Sequence, residues 1–489
     1  MKNRLDQLYH FLDRYAVWML FIWVATLSIL YSALSLIRHM HFQSGGFDLG
    51  LYDQSVWQYA HFLWPYNTIK DRFILGDHLT LTLPLLSPLF WLWEDVRMLL
   101  VFQAVAISTS SIAVYLLARL RKFTPFLSFV VAWVYSLFYG IQYGIFFDFH
   151  PGLLAVAIFA WFIYFFESKK NIPWMVLLVL VLATQENMGL ALASFGCIYF
   201  FRKEYRGYAV WFILGGVTVS LVASKVVAWF SPVGFQYWPE ISLNPLSIVA
   251  SFFDSEEKRQ VWLYTLSSFS FLSIFSLGAM LSIALDLAQY FATGPEFSRM
   301  WSPFMHHRAI LALFVMLGAL DTLAFLRKKK ISMVWVALLL IITTLVGQFV
   351  LHLPLNKLTK FEYWKQEAWM SDARTLIDQV PIGASIATQQ NLIPHLSHRE
   401  KIYLVWPREH DFDDDRCGQR SCWWLDFPIA VQYLVIDLHP NQWVTQLLET
   451  NEHVERAIAN MEKTGFITLQ QSVGLARLYE VHPTVIVNE

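Results

Sequence analysis

Long apolar runs, interrupted at short intervals by polar turns, dominate residues 1–352, and the pattern changes abruptly after them. A helix needs roughly 17 to 25 mainly apolar residues to cross about 30 Å of hydrocarbon, and shorter ones are tolerated inside a bundle. On that measure spans are predicted at about 16–37, 98–118, 124–142, 151–166, 172–185, 188–201, 208–230, 262–278, 279–294, 308–326 and 331–352, about eleven in all. Beyond 352 the runs shorten to "ASIATQ", "KIYLV" and "VQYLVIDL" around a helix-like stretch, "QWVTQLLETNEHVERAIANMEKTGF". The closing "FITLQQSVGLARLYEV" reads as a hairpin turning near Gly474. The expected fold is a polytopic α-helical membrane domain, 1–352, followed by a small soluble α/β domain, 353–489.

Composition agrees: 56% of the residues are hydrophobic and 15% charged, with a formal net charge of −1, which excludes a bulk electrostatic footprint for nucleic acid. Basic clusters then orient the chain. "KNR" at the start, "RLRK" at 119–122, "ESKK" at 167–170, "RKEYR" at 202–206 and "RKKK" at 327–330 fall on alternate loops, so these face the cytoplasm. Localisation in the cytoplasmic membrane follows, with the N-terminus inside, and the loops 38–97, 143–150, 231–261 and 295–307 and the C-terminal domain outside. "MKNRLDQLYHFLDRY" is too polar for a signal-peptide start, and the first span is read as retained. Two prolines and a short apolar length make "HLTLTLPLLSPLFWLWEDV" a helix lying at the outer membrane surface, its Trp-rich end at the interface.

Of the three cysteines, Cys417 and Cys422 share an outward loop suited to a disulfide, and Cys197 is a membrane thiol. The acids of "DDDRCGQRSCWW" sit beside Arg416 and Arg420, which favours a solvated, self-paired loop over a cation site.

Charged groups in or near hydrocarbon cost about 2.5 to 3.5 kcal/mol each, so their placement carries information. They gather on the outer side: Asp48, Asp53, Asp77 and His78 in the first loop, Asp148 and His150 in "FFDFHPG", and Gln185 and Glu186 in "ATQENMGL". Arg299, His306, His307 and Arg308 follow in the last loop. Together they are expected to line one outward cavity. Structural roles compete for several of them. Asp53 suits the first turn of a surface helix, Asp77 a cap on a following "HLTL" helix, and Asp148 a helix start before Pro151. Glu186 has little room for a solvated loop and is read as functional. Lys225 lies deep enough to need a protein partner or a bound phosphate. His306 and His307 are adjacent, pointing apart on a helix, with no metal-ligand spacing. No Walker A loop, GxGxxG, nucleophile elbow or CxxC occurs. No motif calls for a cofactor, and a divalent metal is left open.

The segments "FDLGLYDQSVW", "GDHLTLTLPLLSPLF", "FDFHP", "QENMGL" and "LIPHLSHREKIYLVWP" resemble, over nearly the whole chain, a family of microbial membrane proteins of unknown function. That family looks like the GT-C superfamily of integral-membrane glycosyltransferases. The resemblance implies a polyprenyl-phosphate sugar as donor, an extracytoplasmic glycan, lipid or protein as acceptor, and membrane lipids as further partners. It implies juxtamembrane helices in the first outer loop and a catalytic acid just after the first span, which is Asp48 here, with Asp53 the neighbouring candidate. Where many GT-C members carry a "TK" motif between short fifth and sixth spans, this chain has Glu186 in place of the lysine. The expected activity is inverting sugar transfer. The alternative is a non-catalytic transporter or a lipid- or solute-binding scaffold on the same fold, although no internal repeat of the transporter kind is visible.

Overall fold

The computed structural model describes every residue except 1, 237–243, 412–415, 418–420, 429, 441–449 and 483–489. The chain divides into two compact units, one of residues 1–35, 75–82 and 100–360, the other of 36–74, 83–99 and 361–489.

The first unit is helical. Among the described residues five helices are long and apolar enough to cross a membrane, Gln7–Met40, Arg97–Leu120, Lys203–Phe230, His306–Lys328 and Met333–Val350, and Pro125–Ser136 with Tyr139–Phe147 makes a sixth bent by 44°. Pro151–Glu167, Asn171–Leu182, Met188–Phe200 and Leu277–Phe291 are shorter apolar helices. Small residues let backbones approach where the lipid phase supplies no hydrophobic driving force. A Cβ on Gly189 would fall 2.3 Å from the Gly216 carbonyl oxygen, so Met188–Phe200 packs directly on Arg206–Phe230.

The run at 262–278 departs from the expected span. Its helix is Glu256–Ser267, capped by Ser255, and the chain then turns through left-handed Ser270 and Phe271 before the 3-10 turn Leu272–Phe275. The cause is its serines. Ser267 and Ser268 both donate to the Tyr264 carbonyl, and Ser276 caps the next helix by accepting from Ala279 N–H. Such local bonds compete with helix propagation.

At one end of the bundle, Arg121, Glu167, Arg202 and Asp321 form a closed ionic network. Arg121 Nε donates to Glu167 Oε2 at 3.0 Å, Arg202 Nη1 to Glu167 Oε1 at 2.9 Å, and both arginines reach Asp321 Oδ1, at 3.2 and 2.5 Å. Tyr199 adds its hydroxyl to Glu167. The network ties the ends of three helices, Arg97–Leu120, Pro151–Glu167 and Met188–Phe200, to the middle of Leu311–Lys328.

The second unit contains a five-stranded sheet in the order Ile402–Leu404, Ile386–Thr388, Tyr433–Asp437, Ala476–Val481, Ile467–Val473, the first three strands parallel and the rest antiparallel. Alternation sorts its side chains. Ile386, Val435 and Leu478 pack with Trp369, Met370, Ala373 and Leu376 of the helix Ala368–Ile377 and with Phe42 and Ile69. Ala387, Leu434, Ile436 and Tyr479 face Val454, Ala457, Ile458 and Met461 of the helix Asn451–Lys463. Residues 36–74 and 83–99 therefore fold with 361–489, Phe42 and Ile69 being part of that core. The predicted hairpin turns at Gly474, φ 58°, and Cys417 is bonded to Cys422. The acids 413–415 and Arg420 lie outside the described residues. The segment expected at the membrane surface forms the 3-10 turn Leu83–Leu86 and the helix Ser87–Leu92, too short to span.

Candidate functional site

Most of the polar residues singled out from sequence meet inside the first unit. The turn between Asn171–Leu182 and Met188–Phe200 presents Glu186, whose carboxylate accepts from His78 Nδ1 at 2.8 Å and from Leu79 N–H at 3.1 Å. Gln185 Nε2 approaches the same imidazole at 3.4 Å, and Asp77 Oδ2 lies 4.0 Å from its Nε2. Ser220 steadies the turn by donating to the Glu186 carbonyl at 2.7 Å and accepting from Leu190 N–H at 3.0 Å. Next to Glu186, Asn187 Nδ2 donates to the Tyr290 hydroxyl at 3.0 Å, and Tyr290 packs against His307.

The His306 ring stacks on His150 at 3.6 Å and lies 3.9 Å from His307. The two histidines thus do not point apart. They open a 3-10 helix, His306–Ile310, and their side chains turn toward each other although their Cα–Cβ bonds diverge. Gly140 permits this seat, since a Cβ there would fall 2.4 Å from the Arg308 carbonyl oxygen. Arg308 is fully buried, donating to the Ser302 and Met300 carbonyls, with its guanidinium over Tyr290 and Phe291. Asp286, which the sequence reading missed, is also fully buried in Leu277–Phe291. Four buried atoms of this region, Asp286 Oδ2, Arg308 Nη1, His306 Nδ1 and Asn187 Oδ1, have no hydrogen-bond partner among the described residues. Buried polar atoms are almost always satisfied, so such a concentration marks a place prepared for water or ligand.

Several structural roles proposed from sequence do not hold. No helix follows Asp77, because residues 78–80 are irregular. Asp148 does not start a helix. Its backbone is extended, its carbonyl accepts from Gln103 Nε2 at 2.9 Å, and His150 occupies the N-cap position. Lys225 and Arg299 are exposed, and no ion pair of either is found among the described residues. Among the described residues no group of three metal-ligating side chains occurs.

The second unit holds the two acids named for catalysis. Asp48 is half-buried in a single π-helical turn, Gly46–Gly50, a distortion frequent at functional sites. The turn is pinned by Gly46 N–H on the Gln390 carbonyl at 2.9 Å, and a Cβ on Gly46 would fall 2.8 Å from Ile393 Cδ1. Asp53 is no surface acid. It is fully buried in the helix Leu51–Ala60, accepting from Ser397 Oγ at 2.5 Å and from His398 Nε2 at 3.0 Å. Burial opposes charge on His398, but the Asp53 carboxylate outweighs it and raises the imidazole above its ordinary value. One residue on, Gln54 Nε2 donates to the carbonyls of Arg399 and Glu400 at 3.1 and 3.3 Å. Ser397 and His398 were missed as site residues, although they stand inside the quoted segment "LIPHLSHREKIYLVWP".

This fold is that of a polytopic α-helical membrane protein: it is similar to ArnT from Cupriavidus metallidurans in the apo state, with TM-score 0.50 and 11% identity over 96% of this chain and 99% of that one. More particularly, the chain belongs to the family of predicted membrane proteins DUF2079, whose model matches residues 38–475. No curated protein matches it.

Proposed function

We propose that the protein is a membrane glycosyltransferase that moves a sugar from a polyprenyl-phosphate carrier to an extracytoplasmic acceptor with inversion, Asp48 acting as the base. The observation that carries this reading is the seat of Asp48, a partly exposed carboxylate on a pinned π turn in a chain with an ArnT-like fold. In the reaction an acceptor hydroxyl attacks the anomeric carbon, the bond from that carbon to the phosphate oxygen breaks, and the hydroxyl proton passes to Asp48. The lipid phosphate departs as a stable anion, so no nucleotide chemistry is required. Asp53 is unsuited to the proton transfer, since it is sealed from solvent and already accepts from Ser397 and His398. Exposed Lys225 and Arg299 are available to an anionic lipid headgroup.

The test is transfer by the purified protein in lipid nanodiscs, supplied with polyprenyl-phosphate sugars and read by mass spectrometry. Asp48→Asn keeps the size of the side chain and removes its basicity, so transfer falls about 100-fold to 10,000-fold while the donor is still bound. Full activity in that variant removes Asp48 from the role. A wild-type protein that retains the lipid but forms no product points instead to a scaffold or transporter. The orientation is proposed from the alternating basic loops. An alkaline phosphatase fused after residue 480 is active if 353–489 lie outside, and an inactive but intact fusion reverses the assignment.

A further inference from the structure

The second unit contains a cluster of buried polar atoms that none of the roles above uses. Two stretches of chain, 39–46 and 389–395, meet where the parallel strand Ile386–Thr388 ends. Its two parallel neighbours lie on opposite sides, Ile402–Leu404 following it directly and Tyr433–Asp437 arriving later. This is a topological switch point, and ligands of open α/β sheets bind in the crevice outside the carboxyl ends of the strands there. At that place the His39 and His395 rings stack at 4.1 Å with 18° between their planes, and Phe42 packs on His395 at 4.2 Å. Gly46 N–H bonds the Gln390 carbonyl, and a Cβ on Gly46 would fall 3.0 Å from Gln390 Oε1.

Five atoms here are buried without a hydrogen-bond partner among the described residues: His39 Nδ1, Ser44 Oγ, Gln389 Nε2, Gln390 Oε1 and His395 Nε2. Each such group left dry carries its full desolvation penalty, so five together are a poor way to build a core. Gln389 shows the selectivity of the arrangement, since its carbonyl oxygen accepts from Asp437 N–H at 2.7 Å while its amide nitrogen is left over. Three arginines and one carboxylate, Asp95, stand around it. Arg374 donates to the Met40 carbonyl at 2.9 Å, Arg38 is buried beside His39, and Arg97, bonded to Asp95, lies within electrostatic reach of His395. Burial, reinforced by His39, Arg374 and Arg97, holds His395 well below the ordinary imidazole value, so it is present as a neutral donor and acceptor.

We propose that the residues 39–46 and 389–395 form a recognition site for an anionic sugar, the hydroxyl-bearing and negatively charged end of the acceptor. The mixed set of donors and acceptors suits hydroxyl groups, and the arginines suit a carboxylate or phosphate. Waters satisfy the five atoms in the resting protein and are displaced by the ligand. This assignment rests on the glycosyltransferase reading and deepens it, because the cluster lies two residues from Asp48 along the chain, at Gly46. It also gives the α/β domain a part in choosing the substrate.

The test uses full-length protein in nanodiscs, titrated calorimetrically with glucuronate, glucose 1-phosphate, glucose and inorganic phosphate. At least one of the two anionic sugars binds tenfold or more tightly than either glucose or phosphate, and the better of the two identifies carboxylate or phosphate as the charge. Gln390→Leu and Ser44→Ala each weaken that binding tenfold or more without lowering the melting temperature, since each removes an unsatisfied atom. Binding by none of the probes, phosphate binding as tightly as glucose 1-phosphate, or variants that melt lower yet bind as wild type would each overturn the site. Should Gln390→Leu fail to fold, Ser44→Ala decides. Transfer to an acceptor with no probe binding defeats this site and leaves the glycosyltransferase standing, whereas probe binding without transfer does the reverse.

Discussion

The helical unit carries two polar clusters, and they are built on opposite plans. In the network of Arg121, Glu167, Arg202 and Asp321 every carboxylate meets two guanidinium groups. In the cluster of Glu186, His78, His150, His306 and Arg308 the charges are fewer, imidazoles predominate, and buried atoms of Asp286, Arg308, His306 and Asn187 are left without protein partners. One helix joins them: thirteen residues, about 20 Å of rise, separate Arg308 from Asp321. A closed set of ion pairs has nothing left to offer a ligand and serves to hold helix ends, while an open set gives up stability and retains binding capacity.

That contrast is broken most severely at Glu167. Glu167→Leu leaves two partly buried arginines facing only Asp321, and the expected loss is about 3 kcal/mol of stability, the lower end for a broken buried pair, seen as a fall in melting temperature in detergent. In the protein that remains folded the proposed transfer is expected to be unchanged, and a selective loss of activity without destabilisation would make the network part of the site. Glu186→Gln is the counterpart. It removes the charge facing His78 but keeps the size, and transfer is expected to drop about 100-fold, or about 2.7 kcal/mol in barrier, with the melting temperature nearly unchanged. The reverse result, a strong destabilisation with activity intact, would place Glu186 with the structural set.

A smaller effect sharpens the comparison in the second unit, where Asp53 and His398 make a closed pair of the structural kind. The imidazole has a folded value raised above its ordinary 6.5, so the pair's contribution is fully present below about pH 6.5 and is lost as pH rises through the higher folded value. Melting temperatures between pH 5 and 9 should therefore decline towards alkaline pH in wild type and lose that part of the decline in Asp53→Asn. Parallel curves for the two proteins would show that the ion pair contributes nothing.

Much of the architecture is visible in the chain before folding. Runs of apolar residues announce the helices, and the period-two runs after 352 announce the strands, because burial in lipid and on two faces of a sheet leaves those signatures directly. The failures have physical causes as well. The 262–278 run is apolar enough to span, but its serines bond their own backbone, which hydropathy does not register. His306 and His307 were expected to diverge as neighbours on a helix do, whereas side-chain rotation, which backbone spacing does not register, brings their rings to 3.9 Å. Asp53 looked like a solvated first-turn acid because its partners are 344 and 345 residues away. Asp286 carried a usable signal, an acid inside the apolar run "LSIALDLAQYF".

The helices on either side of Glu186 are short, twelve residues in Asn171–Leu182 and thirteen in Met188–Phe200. They rise about 18 and 20 Å, well below the 30 Å or so of hydrocarbon in an ordinary bilayer. Ile172, Val176 and Val179 of the first are exposed, so lipid tails meet it directly. If the pair spans, a bilayer beside it would be compressed, at fractions of a kcal/mol per Å of mismatch, and its headgroup plane would dip towards the turn that carries Glu186. On the proposed reading, a lipid-borne phosphate sliding along the membrane would descend into that dimple without leaving its leaflet, and turnover would become a function of acyl-chain length.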